Sequence, residues 1–156
     1  MPGYEFNRTE SRARADWDTL TAMRDAWPGK FVVKGVLDPE DAQMLKTKGA
    51  DAIQVSSHGA RQLESAPSPF AMLPVIREAV GQEFPLFFDS GLRSGEDALK
   101  ALISGADFTF FGRILQFAIA AGGEEGLNRM WDVLSDEMSI AMAQTGMCNL
   151  TANENE

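Results

Sequence analysis

Apolar residues along the chain fall into four short continuous runs, at residues 31–36, 52–56, 84–89 and 108–111. The segments between and around these runs carry apolar residues every three or four positions, which is the spacing of an amphipathic helix. These periodic segments lie near residues 16–27, 38–49, 70–80, 94–105 and, after residues 114–121 and a Gly-Gly break, 124–145. Short buried strands that alternate with helices predict an α/β fold whose parallel sheet is covered on both faces.

A weak internal repeat refines this prediction. Lys48-Gly49-Ala50-Asp51 and Ser104-Gly105-Ala106-Asp107 each close a predicted helix and open a predicted strand. A repeated two-unit module is typical of (β/α)8 barrels, which take about 250 residues and eight units. The 156 residues hold four such units. We therefore expect half of a TIM barrel over residues 16–148, with a polar segment at 1–15 and a polar tail at 149–156.

Composition narrows the possible partners and location. The net charge of −9 argues against nucleic acid or an anionic membrane surface as the main partner. The single cysteine, Cys148, cannot form an internal disulfide and fits a reducing compartment. The chain carries no metal-ligand spacing, no apolar signal core and no run long enough to span a membrane. Cytoplasmic location is the resulting expectation.

Polar residues follow all four predicted strands. Lys34, His58, Asp89 and Arg113 lie at or just after the strand ends. The carboxyl ends of barrel strands form the edge at which barrel enzymes place their chemistry. His58 is the one histidine of the chain, and histidine suits proton transfer near neutral pH. Arg61 offers a planar fork for a carboxylate or phosphate. Taken alone, these two residues also fit an ordinary surface loop.

The residues at the four strand ends, taken in order, resemble the C-terminal half of the FMN-dependent L-2-hydroxy-acid oxidases and dehydrogenases, the family of glycolate oxidase, L-lactate dehydrogenase and mandelate dehydrogenase. The most specific match is Ser56-Ser57-His58-Gly59-Ala60-Arg61-Gln62-Leu63, beside a family pattern Ser-Asn-His-Gly-(Gly/Ala)-Arg-Gln-Leu. The supporting matches are Val33-Lys34-Gly35, Asp89-Ser90-Gly91-Leu92-Arg93, Gly112-Arg113 and Ala120-Ala121-Gly122-Gly123-Glu124. Two positions depart from the family: Ser57 replaces Asn, and Ser90 replaces a Gly close to the flavin.

The resemblance implies FMN as cofactor and a small L-2-hydroxy acid, such as lactate or glycolate, as substrate. His58 is then the catalytic base and Arg61 binds the substrate carboxylate. Lys34 lies beside the flavin and stabilises the charge that builds on reduction. The cofactor-binding residues implied by the resemblance are Lys34, Ser56, Asp89, Ser90, Gly91, Arg93, Gly112 and Arg113. Whether electrons leave the substrate as hydride or through a carbanion stays open.

Two other interpretations compete with a complete enzyme. The chain lacks counterparts of the first four barrel strands, so it is alternatively a truncated or half-barrel module that has little activity alone. Such a module has two open strand edges and needs self-association or a complementary N-terminal half-barrel. The other interpretation is a phosphate-binding barrel of the inosine-monophosphate-dehydrogenase type. The His-Gly-x-Arg segment and the absence of a catalytic cysteine in the loops argue against it.

Overall fold

The computed structural model describes residues 16–150, and they form a parallel four-stranded sheet flanked by helices. The strands are β1 (Val32–Val36), β2 (Ala52–Val55), β3 (Leu86–Phe88) and β4 (Phe108–Thr109), hydrogen-bonded in the order β1-β2-β3-β4. The helices are α1 (Trp17–Ala26), α2 (Pro39–Thr47), α3 (Pro69–Val80), α4 (Gly95–Ile103) and α5 (Arg113–Thr145). This is the connectivity of half a (β/α)8 barrel and confirms the predicted fold class.

The described residues test the predicted domain boundaries only in part. The polar segment 1–15 and residues 151–156 of the polar tail lie outside them, so the division into 1–15, 16–148 and 149–156 stays a prediction. Within residues 16–150, no helix is both long enough and apolar enough to cross a bilayer.

Side-chain caps begin the helices where the sequence predicted them. Asp16 accepts from the Thr19 N–H at 2.8 Å at the start of α1. Asp38 caps α2, which opens with Pro39, and Ser94 accepts from the N–H at the first turn of α4. Each cap satisfies a helix N–H that would otherwise lack a partner. The start of α5 at Gly112 has no such cap.

The apolar runs of β2 and β3 form the centre of the core, those of β1 and β4 are only partly buried, and the last two strands are shorter than predicted. All four residues of β2 are buried, and Ile53, Leu86 and Phe88 are fully enclosed. Residues 84–85 fall outside β3 because Pro85 has no N–H to donate to a ladder. Strand β4 pairs on one side only within the described residues and keeps just two ladder positions.

The predicted Gly-Gly break appears as a kink within one long helix. Gly122 and Gly123 have non-helical backbone angles, and helical segments continue on both sides from Arg113 to Thr145. A β-carbon at Gly126 would clash with the carbonyl oxygen of Ala118. The kink therefore brings the two helical segments into close contact, which only a glycine at position 126 permits.

The internal repeat has a structural basis at the amino edge of the sheet. Asp51 accepts from the N–H of Phe31, just before β1, at 2.9 Å. Asp107 accepts in the same way from Leu86, the first residue of β3, at 2.7 Å. Each aspartate also pairs with an arginine from the last turn of a preceding helix: Arg24 at 3.6 Å from Asp51, and Arg77 at 2.7 Å from Asp107. Two copies of one α-β-α-β module thus share the same closing contact.

Candidate functional site

An open cleft of about 560 Å³ lies at the carboxyl edge of the sheet, where loops from all four strands meet. Four cationic side chains and one carboxylate are among its lining residues: Lys34, Arg61, Arg93, Arg113 and Asp89. His58, Ser90, Gly91 and Gly112 line the same cleft. The prediction that these strand ends come together is confirmed. The cleft is locally positive although the net charge of the chain is −9. Because its cationic side chains outnumber its carboxylates, the cleft is suited to an anion.

Lys34 lies two residues before the end of β1 and is held by two neighbours. Its ammonium lies 3.1 Å from the Asp89 carboxylate and donates to the hydroxyl of Ser56 at 2.9 Å. Ser56 is fully buried behind the cleft and acts on it through its neighbours, because its hydroxyl also accepts from the N–H of His58 at 3.1 Å. The cation is therefore fixed in place, although its own side chain is 42% exposed.

Gly35 leaves the space that the His58 ring occupies. The pairing register of β1 with β2 shifts between Lys34 and Val36, which makes Gly35 the extra residue of a bulge, with φ 97°. A β-carbon at this position would clash with Cε1 of the imidazole. The ring therefore lies directly against the Gly35 backbone, and the bulge brings the end of β1 into contact with the loop after β2.

The loop after β2 is a tight turn with left-handed backbone. His58, Gly59 and Ala60 have φ values of 56°, 69° and 60°. For a residue other than glycine this region costs about 1–2 kcal/mol. Arg113 crosses from the start of α5 and donates to the Gly59 carbonyl at 2.9 Å. The turn exposes the His58 side chain to the cleft, and Arg61 follows directly on the same rim.

Asp89 is the centre of a polar network beneath the cleft. One carboxylate oxygen contacts Lys34 and accepts from the Gln54 amide at 2.9 Å. The other oxygen accepts from the Ser90 hydroxyl at 2.9 Å. Gln54 is buried and was missed at the sequence level. The signal was a lone amide inside an otherwise apolar strand, since a buried polar group needs a partner.

The start of α5 lies at the cleft without a side-chain cap. Its first N–H groups follow Gly112, and no side chain of residues 16–150 caps them. A β-carbon built on Gly112 or Gly91 would meet no atom of the described residues within 4 Å apart from its own chain neighbours, so the cleft is open at both glycines. Uncapped N–H groups at a helix start, next to the guanidinium groups of Arg93 and Arg113, are a donor set that suits a phosphate.

Comparisons with known proteins agree with this geometry. A family model described as FMN-dependent dehydrogenase matches residues 2–156. The chain is 45% identical over 130 residues to an L-lactate dehydrogenase of Bartonella tribocorum, covering 83% of this chain and 34% of that protein. It is also 45% identical over 131 residues to an L-lactate dehydrogenase of Caulobacter vibrioides, with 84% and 34% covered. The chain therefore spans about a third of the length of the curated relatives it matches.

Solved structures give the same result. The structure of an oxidised active mutant of (S)-mandelate dehydrogenase matches with a TM-score of 0.84 and 38% identity, over 88% of this chain and 38% of that one. A mandelate oxidase with (S)-4-hydroxymandelic acid also matches with a TM-score of 0.84, at 37% identity, over 90% of this chain and 39% of that one.

Proposed function

Because the chain belongs to the family of FMN-dependent dehydrogenases, we propose that it carries the proton-accepting and cofactor-binding part of an enzyme that oxidises an L-2-hydroxy acid to the 2-oxo acid. One observation carries the proposal: His58, Arg61 and Lys34 line a single cleft together with Arg93 and Arg113. A base, a carboxylate-binding cation and phosphate-binding cations are the groups that this reaction and this cofactor need.

The residues at the cleft fit FMN. Arg93, Arg113 and the uncapped N–H groups of α5 would hold its phosphate. Gly91 and Gly112 leave the backbone open to close approach. Lys34, fixed by Asp89 and Ser56, would place a cation where negative charge builds during reduction. When bound, FMN accepts the two electrons that the substrate loses.

His58 and Arg61 act on the substrate. Oxidation of a 2-hydroxy acid to the 2-oxo acid removes two protons, one from the hydroxyl group and one from C2, and two electrons. His58, exposed to the cleft, accepts a proton from the substrate. Arg61 binds the substrate carboxylate, and a bidentate contact would orient the molecule as well as attract it. A hydride route and a carbanion route both use the base in this place.

FMN binding is the first test. We expect an Arg93→Met, Arg113→Met double variant to bind FMN at least tenfold more weakly than the parent, because charge-assisted hydrogen bonds contribute about 1.5–3 kcal/mol each. Quenching of flavin fluorescence measures the affinity. Arg129→Met removes the same charge from an exposed position of α5 outside the cleft and is the matched control. Equal affinity in the double variant and the control would refute the phosphate site.

Turnover is the second test. We expect the isolated chain to bind FMN weakly and to turn over slowly, because water reaches an open cleft and weakens its electrostatic interactions. Supplying the other half of a related barrel in trans should raise the rate of lactate or glycolate oxidation. His58→Ala should then abolish turnover while FMN still binds. Turnover that survives the substitution would remove His58 from the reaction.

A second candidate function follows from the two sheet edges. Within residues 16–150, β1 and β4 each pair with one strand only, and Phe108 and Phe110 beside the β4 edge are 55% and 41% exposed. Open parallel edges with apolar neighbours favour association. We therefore infer an assembly module that closes against a second copy or a complementary half-barrel. Sedimentation of the pure chain distinguishes these: a dimer supports the second copy, and a stable monomer that binds no hydrophobic dye would contradict both.

A further inference from the structure

Serine hydroxyls hold the backbone of the turn that carries His58. Every N–H from residue 57 to residue 60 donates to one. Those of Ser57 and Gly59 donate to Ser90, both at 3.2 Å. That of His58 donates to Ser56 at 3.1 Å, and that of Ala60 to Ser57 at 3.2 Å. Four successive N–H groups of a left-handed turn thus have side-chain partners, and that of Ala60 also donates to the backbone carbonyl of Ser57 at 3.0 Å.

Ser90 differs from the other two serines because it reaches the turn from the loop after β3. It lies 33 residues from Ser57 and 31 from Gly59. Its hydroxyl accepts these two N–H groups, donates its one proton to Asp89 at 2.9 Å and also lies 3.4 Å from the Ser56 hydroxyl. The same aspartate contacts Lys34. The hydroxyl therefore joins the His58 turn to the carboxylate that fixes the lysine.

Ser90 occupies a backbone conformation that disfavours it. Its φ is 84°, in the region where glycine is the default residue. A non-glycine residue persists in such a conformation only when its surroundings determine it, and these outliers cluster at active sites. Glycine would remove the backbone strain but also the hydroxyl. The strain therefore points to a role for the hydroxyl itself.

We propose that Ser90 is a positioning residue that fixes His58 by binding the N–H groups on both sides of it. The two bonds leave the His58 side chain free to face the cleft while its Cα is held from the β3 side. Through its bond to Asp89, Ser90 also connects the His58 turn and the Lys34 cation in one hydrogen-bond network. The catalytic meaning of this positioning rests on the function proposed above for His58.

Two variants of the 156-residue chain separate the hydroxyl from the backbone strain. Ser90→Gly removes both, and Ser90→Ala removes the hydroxyl and keeps the β-carbon. We expect the amide hydrogens of Ser57 and Gly59 to exchange with solvent about tenfold faster in both variants. Because His58 is the single histidine, the proton on its ring Cε1 gives one NMR signal that can be followed without overlap from another histidine. That signal should shift and broaden as the turn becomes mobile.

A matched control excludes a general loss of stability. Ser94→Ala also deletes a serine hydroxyl that accepts a backbone N–H, that of Asp97 at 3.0 Å, at the start of α4. It should accelerate exchange at Asp97 and leave Ser57, Gly59 and the His58 signal unchanged. If Ser90→Ala fails to fold, Ser90→Gly still tests the hydroxyl, since glycine accepts the backbone angle. Unchanged exchange at Ser57 and Gly59 in Ser90→Gly would overturn the proposal, as would equal acceleration there in Ser94→Ala.

These readouts need no flavin, so the two proposals can fail separately. A parent chain that shows the protected amides but binds no FMN in the fluorescence titration would refute the function and keep the positioning role. If the chain binds FMN but exchange at the Ser57 and Gly59 amides is unchanged by the Ser90 substitutions, the positioning role is refuted and the proposed function stands.

Discussion

Arg77 is the residue whose loss should cost this fold the most stability. It lies at the end of α3 and is only 6% exposed. Its guanidinium pairs with Asp107 at 2.7 Å and also donates to four backbone carbonyls, those of Gly81, Gln82, Phe84 and Gly105. It therefore joins the end of α3, the approach to β3 and the approach to β4. The substitution to test is Arg77→Met, which keeps the length of the side chain and removes every donor.

The expected loss follows from these contacts. The carbonyls of Gly81, Phe84 and Gly105 lose close partners at 2.8, 2.8 and 2.7 Å, which costs about 1 kcal/mol each. Asp107 is 51% exposed and regains water, so its lost ion pair adds roughly 1 kcal/mol rather than the full cost of a buried charge. Together these give about 4 kcal/mol, a large fraction of the roughly 5–15 kcal/mol that stabilises an ordinary domain.

The internal repeat supplies the control. Arg24 occupies the matching place beside Asp51, but its side chain is 26% exposed, its ion pair is longer, at 3.6 Å, and it donates at 2.8 Å to a backbone carbonyl, that of Gly29. Arg24→Met should therefore lower the free energy of unfolding by only about 1–2 kcal/mol. Urea titration followed by circular dichroism measures both variants, with equal m-values as the check on two-state unfolding. Equal losses in the two variants, or a loss below about 1 kcal/mol for Arg77→Met, would contradict the reasoning.

Three further predictions concern the two edges of the sheet. Gly35→Ala should destabilise the protein and shift the His58 NMR signal, since the new methyl group meets the imidazole; an unchanged signal would count against this contact. Ala60→Gly should stabilise the protein by up to about 1 kcal/mol in urea titration, because glycine adopts its φ of 60° without strain, and a loss would contradict that account. The hydrogen bond from Lys30, then that from the Phe31 N–H, holds the pKa of Asp51 below its usual 3.8. Its contribution to stability is therefore present above pH 3.8 and is lost as the pH falls through the lower folded value. Asp51→Asn should flatten this acid limb in urea titrations across pH, and an unchanged limb would exclude Asp51 as its cause.

The strands, helices and position of the cleft could be predicted because their causes are local. Apolar runs mark the strands, and Asp16, Asp38 and Ser94 begin helices by bonding N–H groups two or three residues away. Parallel strands then bring their carboxyl ends to one edge, whatever the details of packing. Lys34 and His58 meet there for that reason.

The geometry inside the cleft could not be predicted because its causes are distant in sequence. Gln54 bonds Asp89 across 35 residues, and Ser90 bonds the His58 turn across 31 to 33. The left-handed angles of His58, Ala60 and Ser90 go against the preference of each residue. Only the surrounding tertiary contacts hold them, so neither periodicity nor local propensity contains the information.

The two edges of the sheet divide stability and chemistry between them. At the amino edge, Arg77 and Asp107 form a satisfied contact that joins successive elements of the module. At the carboxyl edge, the backbone is strained at His58, Ala60 and Ser90, beside an open cationic cleft. Strain of about 1–2 kcal/mol per residue persists only if the rest of the fold offsets it. The arginine–aspartate contact belongs to that rest of the fold, because it joins the end of α3 to the start of β3. Arg77→Met lowers the free energy of global unfolding, so exchange at Gly59 should rise in that variant if the turn opens only with the whole domain. Unchanged exchange at Gly59 would show that the turn opens locally and that the amino edge does not hold it.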